Sequence, residues 1–68
     1  MVNFFMAGSE MVRWEISAVG RDGCRLTVKH ANGTIVEYFR TAAQALDRQR
    51  EVESLFLRSR GTEAVHTS

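Results

Sequence analysis

Hydrophobic and polar residues alternate along three stretches of the first forty residues, and the second half of the chain changes to a helical period. The alternating stretches are residues 11–19, 24–28 and 35–39. Alternation with a period of two is typical of half-buried β-strands. Glycine-containing breaks at residues 20–23 and 31–33 separate the stretches and predict hairpin turns. The first part of the chain is therefore predicted to form three antiparallel strands.

The length of each turn decides which side chains face one another across the sheet. A three-residue loop at residues 21–23 places Ile16 opposite Val28, whereas a two-residue turn at residues 22–23 places Ile16 opposite Lys29. A shift of one residue moves every apolar side chain to the other face of a strand. Burial of the apolar residues therefore favours the three-residue loop.

The second turn, at residues 31–33, has the same composition and favours the same loop length. That choice aligns Val28 with Val36, and it aligns Leu26 with Tyr38. The side chains predicted on the inner face are Val12, Trp14, Ile16, Ala18, Leu26, Val28, Val36 and Tyr38.

One long helix is predicted to follow the third strand. Thr41 and Gln44 are spaced as a capping box, in which each side chain accepts a hydrogen bond from a free N–H group of the first turn. The helix is expected to run to Arg60 and to end at Gly61, a common helix terminator. The stripe expected to pack on the sheet is Ala42, Ala45, Leu46, Gln49, Val52 and Phe56. The predicted fold is α+β, a three-stranded antiparallel meander packed on one C-terminal helix.

The chain divides into one domain with short ends. Residues 11–61 are the predicted domain, and residues 62–68 are a polar tail expected to be disordered. Residues 1–10 are read as a flexible N-terminal extension. Two interpretations of that extension stay open: it is a frayed terminus, or Phe4 and Phe5 lie across apolar surface elsewhere on the molecule.

Composition makes this an ordinary globular chain of marginal size. It has 68 residues, 44% of them hydrophobic and 25% charged, with a formal net charge of +1. A domain this small buries only about 60% of its unfolded surface, so association with a partner is a realistic source of stability. The single cysteine, Cys24, cannot form an intramolecular disulfide, and no stretch is long enough for a membrane span. These features favour a cytoplasmic location and no membrane partner.

No group of residues suggests catalysis. Cys24 and His30 are the one pair that resembles a nucleophile and its base, but six strand residues separate them by about 20 Å. Glu15 and Glu37 are expected to pair with Lys29 across neighbouring strands. The sequence therefore predicts a protein that is not an enzyme, with no catalytic residue, no cofactor and no metal site.

Apolar residues that the predicted fold does not bury favour an interaction module. The candidate interface residues are Val19, Ile35 and Phe39 on the outer sheet face and Leu55 and Leu57 on the helix. Contiguous apolar surface on a soluble protein usually marks an interface. The favoured function is a small non-catalytic interaction or regulatory module that forms a homodimer through this surface, or that binds another protein.

The alternative is DNA binding. Residues 39–45 resemble the strand-to-helix junction of plant AP2-type and phage-integrase amino-terminal domains, which place a three-stranded sheet in the major groove. The residues that this layout implies as contacts to nucleic acid are Arg13, Arg25 and Lys29. Glu15 and Glu37 are predicted on the same face, where carboxylates oppose the approach of phosphates. Trp14 is expected to point inward, unlike the tryptophans of those domains.

Overall fold

The computed structural model describes residues 1–61, which form a four-stranded antiparallel meander with one helix across one face. The strands lie side by side in chain order. Their bounds are β1 (Val2–Ala7), β2 (Glu10–Val19), β3 (Gly23–His30) and β4 (Gly33–Phe39). Helix α1 (Ala42–Phe56) follows, and a π-helical turn (Leu57–Gly61) ends the described part of the chain. The antiparallel sheet followed by one C-terminal helix is confirmed, but the prediction of three strands is wrong.

Strand β1 is formed by residues that were predicted to be a flexible N-terminal extension. Ala7 pairs with Glu10, which leaves Gly8 and Ser9 as a two-residue turn. Gly8 has a φ of +64°, and Ser9 does not have a positive φ, as in a type II′ hairpin turn. Phe5 and Ala7 are buried in the core. Residues 2–7 are thus part of the fold, whereas the predicted tail at residues 62–68 lies outside the described residues.

The register of β2 and β3 differs from the prediction by two residues. Val19 pairs with Gly23, and Ile16 pairs with Leu26 rather than with Val28. The loop has three residues, as predicted, but it begins at Gly20, whose φ of +64° suits glycine. A shift of two residues keeps each side chain on its face, so the predicted inner face of these two strands persists.

The register of β3 and β4 differs from the prediction by one residue, and this reverses the faces of β4. His30 pairs with Gly33 across a two-residue turn, so the predicted three-residue loop is wrong. Ile35 and Phe39 are half-buried against the core, while Val36 and Tyr38 are exposed. The residues of β4 are apolar on both faces, so the pattern alone could not decide between the two registers.

Contacts outside β4 help to fix this register. The Ala31 N–H donates to the carboxylate of Glu10, which ties the turn to the start of β2. The helix supplies Arg48 as a partner for Glu37, which the observed register turns inward. Both contacts join parts of the chain that are distant in sequence.

Helix α1 begins as predicted. The Gln44 N–H donates to Thr41 Oγ1 at 3.1 Å, and Gln44 Oε1 accepts from the Arg40 N–H, rather than that of Thr41, also at 3.1 Å. The buried helix residues are Ala45, Gln49 and Val52. They pack on an inner sheet face whose most deeply buried side chains are Val12, Leu26 and Val28. Within residues 1–61 no helix has the length and apolar character of a membrane span.

Candidate functional site

The sheet face opposite α1 carries both charged and apolar exposed side chains. Its side chains alternate with those of the core along each strand, and most of them are exposed. We call this surface the open face. Its main residues are Val2, Phe4, Met6, Met11, Arg13, Glu15, Arg25, Thr27, Lys29, Val36 and Tyr38.

Basic side chains occupy the two central strands of the open face. Arg13 on β2 pairs directly with Lys29 on β3. Arg25 lies four residues before Lys29, about 13 Å away along β3. Glu15, opposite Thr27, is the acidic residue of this face. Three cations and one carboxylate give the strands of the open face a local charge of +2.

Glu37 does not belong to the open face, contrary to the sequence prediction. Its carboxylate lies beneath α1, where Arg48 Nε donates to Oε1 at 2.9 Å and a second guanidinium nitrogen donates to Oε2 at 3.2 Å. The hydrogen bond from Arg48 to Glu37, helped by their opposite charges, raises the pKa of Arg48. A carboxylate expected to repel phosphates is therefore turned away from this face and neutralised.

Two aromatic side chains stand at opposite corners of the open face, each beside a cation. Phe4 pairs with Arg13 at the β1 edge and is 54% exposed. Tyr38 pairs with Arg25 at the β4 edge and is 66% exposed. Three strand spacings and four residues separate the rings, which places them about 20 Å apart.

A shallow depression crosses the middle of this face. It has a volume of about 230 Å³, and Arg13, Glu15, Thr27 and Lys29 contribute to its lining. Two cations and one carboxylate therefore line the depression, and an apolar side chain, Val2, lies at its β1 end.

The five predicted interface residues do not form one surface. Ile35 and Phe39 pack against the core, so their predicted exposure is wrong. Val19 is exposed at the loop end of β2. Leu55 lines a cleft with His30 and Phe56, whereas Leu57 lines another cleft with Trp14 and Leu46. By contrast, the structure places Arg13, Arg25 and Lys29 on a single face.

The residues considered for catalysis occupy ordinary structural positions. Cys24 is half-buried and pairs with Ala18 and Phe39 on the neighbouring strands. The His30 ring stands edge-on to Phe56, with 5.2 Å between ring centroids, and its Nδ1 accepts from the Asn32 N–H at 3.3 Å. No three His, Cys, Asp or Glu side chains of the described residues are grouped as metal ligands.

Sequence reasoning missed the aromatic corners of the open face. Phe4 was missed because residues 1–10 were interpreted as a flexible extension, although Gly8-Ser9 is a common two-residue hairpin signal. Tyr38 was missed because the second turn was given one residue too many. Residues 2–7 do not alternate between apolar and polar, so their pattern does not predict β1, and no local signal distinguishes the two faces of β4.

Comparisons of the chain with protein-family models, with curated proteins and with solved structures return no match.

Proposed function

We propose that this chain is a small non-catalytic binding module whose open face binds single-stranded nucleic acid. The observation that carries the proposal is the pairing of basic and aromatic side chains on one exposed sheet face. Arg13 lies beside Phe4, and Arg25 lies beside Tyr38. Single-stranded nucleic acid presents phosphates for the cations and unpaired bases for the aromatic rings.

The charge of the open face supports an anionic ligand. Arg13 and Lys29 are cross-strand neighbours, so their charges repel each other weakly until a phosphate lies between them. The inward direction of Glu37 leaves Glu15 as the carboxylate among the strand residues of this face. Contacts to phosphates supply most of the non-specific affinity of nucleic-acid-binding proteins.

The width of the sheet favours single strands over duplex DNA. Four strands separated by about 4.8 Å span about 14 Å between the outer strand axes, before side chains are added. The major groove of B-DNA is about 12 Å wide and admits a two-stranded ribbon. The domains whose strand-to-helix junction residues 39–45 resemble have three-stranded sheets. Strand β1 adds a fourth strand here and makes the sheet wider.

A protein-binding module that stacks two open faces together is the second candidate. It is favoured by the large apolar side chains that remain exposed on this face, among them Met6, Met11 and Val36. Stacking would also bring the Arg13 and Lys29 cations of two copies into one interface. Burying like charges together is costly, so nucleic acid suits the centre of this face better.

A cytoplasmic location and a regulatory role belong to the same proposal. Cys24 is a free, half-buried cysteine, as is common in reducing compartments.

The proposal is tested by the fluorescence anisotropy of a labelled single-stranded oligonucleotide titrated with the full chain. Three phosphate contacts predict that affinity falls about 20-fold between about 50 and 200 mM salt. The double variant Arg13→Gln/Lys29→Gln is expected to bind more weakly and to lose only about 3-fold over the same range, because one contact remains.

The matched control is Arg50→Gln/Arg58→Gln, which removes the same charge from exposed positions on the helix side. This variant should bind much as the unmodified chain does. Equal losses in the two double variants would show that net charge, and not the open face, is responsible. Absence of binding at low salt would refute the proposal, and tighter binding to duplex would refute the choice of single strands.

A further inference from the structure

Strand β1 is an edge of the sheet formed by the described residues, and its free backbone groups can be identified. The Ile16 N–H donates to Met1 O at 2.8 Å, and the Met1 nitrogen donates to Ile16 O at 3.1 Å. In an antiparallel ladder, residues bond to the neighbouring strand at every second position. The backbone groups of Val2, Phe4 and Met6 therefore point away from β2.

The hydrogen bond of Phe4 agrees with this assignment. Its N–H donates to Oδ1 of the preceding residue, Asn3, at 2.8 Å rather than to β2. The Asn3 side chain is exposed, so it can rotate away and leave the N–H to another strand. The Phe4 N–H is therefore not used in the pairing of β1 with β2.

The sequence of strand β1 lacks the residue types that normally prevent edge strands from pairing. Its sequence, VNFFMA, contains no charged residue and no proline. Edge strands are usually protected by lysine, proline, a bulge or an inward-pointing charge. The side chains of Val2, Phe4 and Met6 are each about half exposed beside this edge. Such an edge is a template for another strand.

The opposite edge, β4, does carry such a feature. Glu37 points inward from the middle of β4 and is bound by Arg48 from α1. Inward-pointing charges on edge strands discourage the addition of a further strand. The two edges therefore differ, and β1 is the one suited to pairing.

We propose that two copies of this chain pair antiparallel through β1, with Phe4 of one copy opposite Phe4 of the other. A two-fold axis at this point sets Val2 of each copy opposite Met6 of the second copy. Pairing of β1 with β4 of another copy would be head-to-tail and open-ended, whereas β1 with β1 closes on itself. The product is one eight-stranded sheet.

The two-fold axis is perpendicular to the sheet, so both open faces lie on the same side. The exposed apolar side chains Val2, Phe4 and Met6 of the two copies then pack beside one another, which reduces their exposure to water. This inference is independent of nucleic-acid binding, because it depends on the backbone of β1 and not on the cations.

The test is sedimentation equilibrium of the full chain without nucleic acid, at tens of micromolar. The expected mass is twice the 7.7 kDa of one chain. Phe4→Lys should reduce the mass to that of one chain, because it places like charges opposite each other at the axis. The matched control is Tyr38→Lys, which replaces an exposed aromatic residue on the other edge and should leave the dimer intact.

Phe4→Pro tests the backbone contact by a second route. Proline removes the outward N–H of Phe4, a group that β2 does not use, so the monomer should keep its fold while the dimer is lost. Circular dichroism confirms folding of each variant. A one-chain mass for the unmodified protein, an unchanged mass for the folded Phe4 variants, or dissociation by Tyr38→Lys would overturn the proposal. A mass that keeps rising with protein concentration would also overturn the proposal, because it would indicate open-ended association instead of a closed dimer.

Discussion

At the scale of single residues, the direction of Glu37 sets the charge of both sheet faces. Turned inward, it leaves Arg13, Arg25 and Lys29 with one carboxylate among them on the open face. Its bidentate contact with Arg48 joins β4 to the first half of α1. The hydrogen bond to Glu37 raises the pKa of Arg48, which favours the charged guanidinium in this contact.

This ion pair should contribute modestly to stability. Both side chains are about one-third exposed, so solvent screens much of the attraction. Replacing Arg48 with Met keeps an aliphatic side chain and should lower the free energy of unfolding by about 1 kcal/mol in urea titrations.

Arg50→Met is the matched control, because Arg50 is exposed and makes no ion pair within residues 1–61. Its effect should stay below about 0.5 kcal/mol. If both substitutions shift the urea midpoint equally, the contact between Arg48 and Glu37 does not stabilise the fold.

At the scale of elements, the most important difference between sequence and structure is the register of β4. The start of α1 was predictable because Thr41 and Gln44 act locally, within one turn of helix. The faces of β2 and β3 were predictable because only one face of each strand is consistently apolar. In β4, Ile35 and Val36 are adjacent and both apolar, so the choice between them depends on contacts made by Arg48 and Glu10.

The register can be tested with adjacent alanine substitutions in β4. Ile35 packs against the core, so Ile35→Ala should lower the free energy of unfolding by about 2 kcal/mol. Val36 is exposed on the open face, and Val36→Ala should change it by less than about 0.5 kcal/mol. Urea denaturation measures both changes in the free energy of unfolding. A larger loss for Val36→Ala than for Ile35→Ala would contradict the observed register and support the three-residue turn.

At the scale of the whole molecule, α1 covers one side of the sheet, and the side chains on the other side are mostly exposed within residues 1–61. The core contains Phe5, Leu26 and Val52 from successive parts of the chain, so a single layer of side chains holds the fold together. Sequence reasoning identified the cations of the open side but not the aromatic residues beside them. Those aromatic residues lie on the two edge strands, whose positions depend on hairpin turns of two residues.

The most direct test of binding by the open face follows the side-chain Nε–Hε signals of arginine by NMR during titration with a single-stranded oligonucleotide. The Nε–Hε signals of Arg13 and Arg25 are expected to shift together in a saturable manner. The signal of Arg48, held by Glu37 on the other side of the sheet, is expected to stay in place. Shifts confined to Arg50 and Arg58, or no shift at all at low salt, would contradict a nucleic-acid-binding role for the open face.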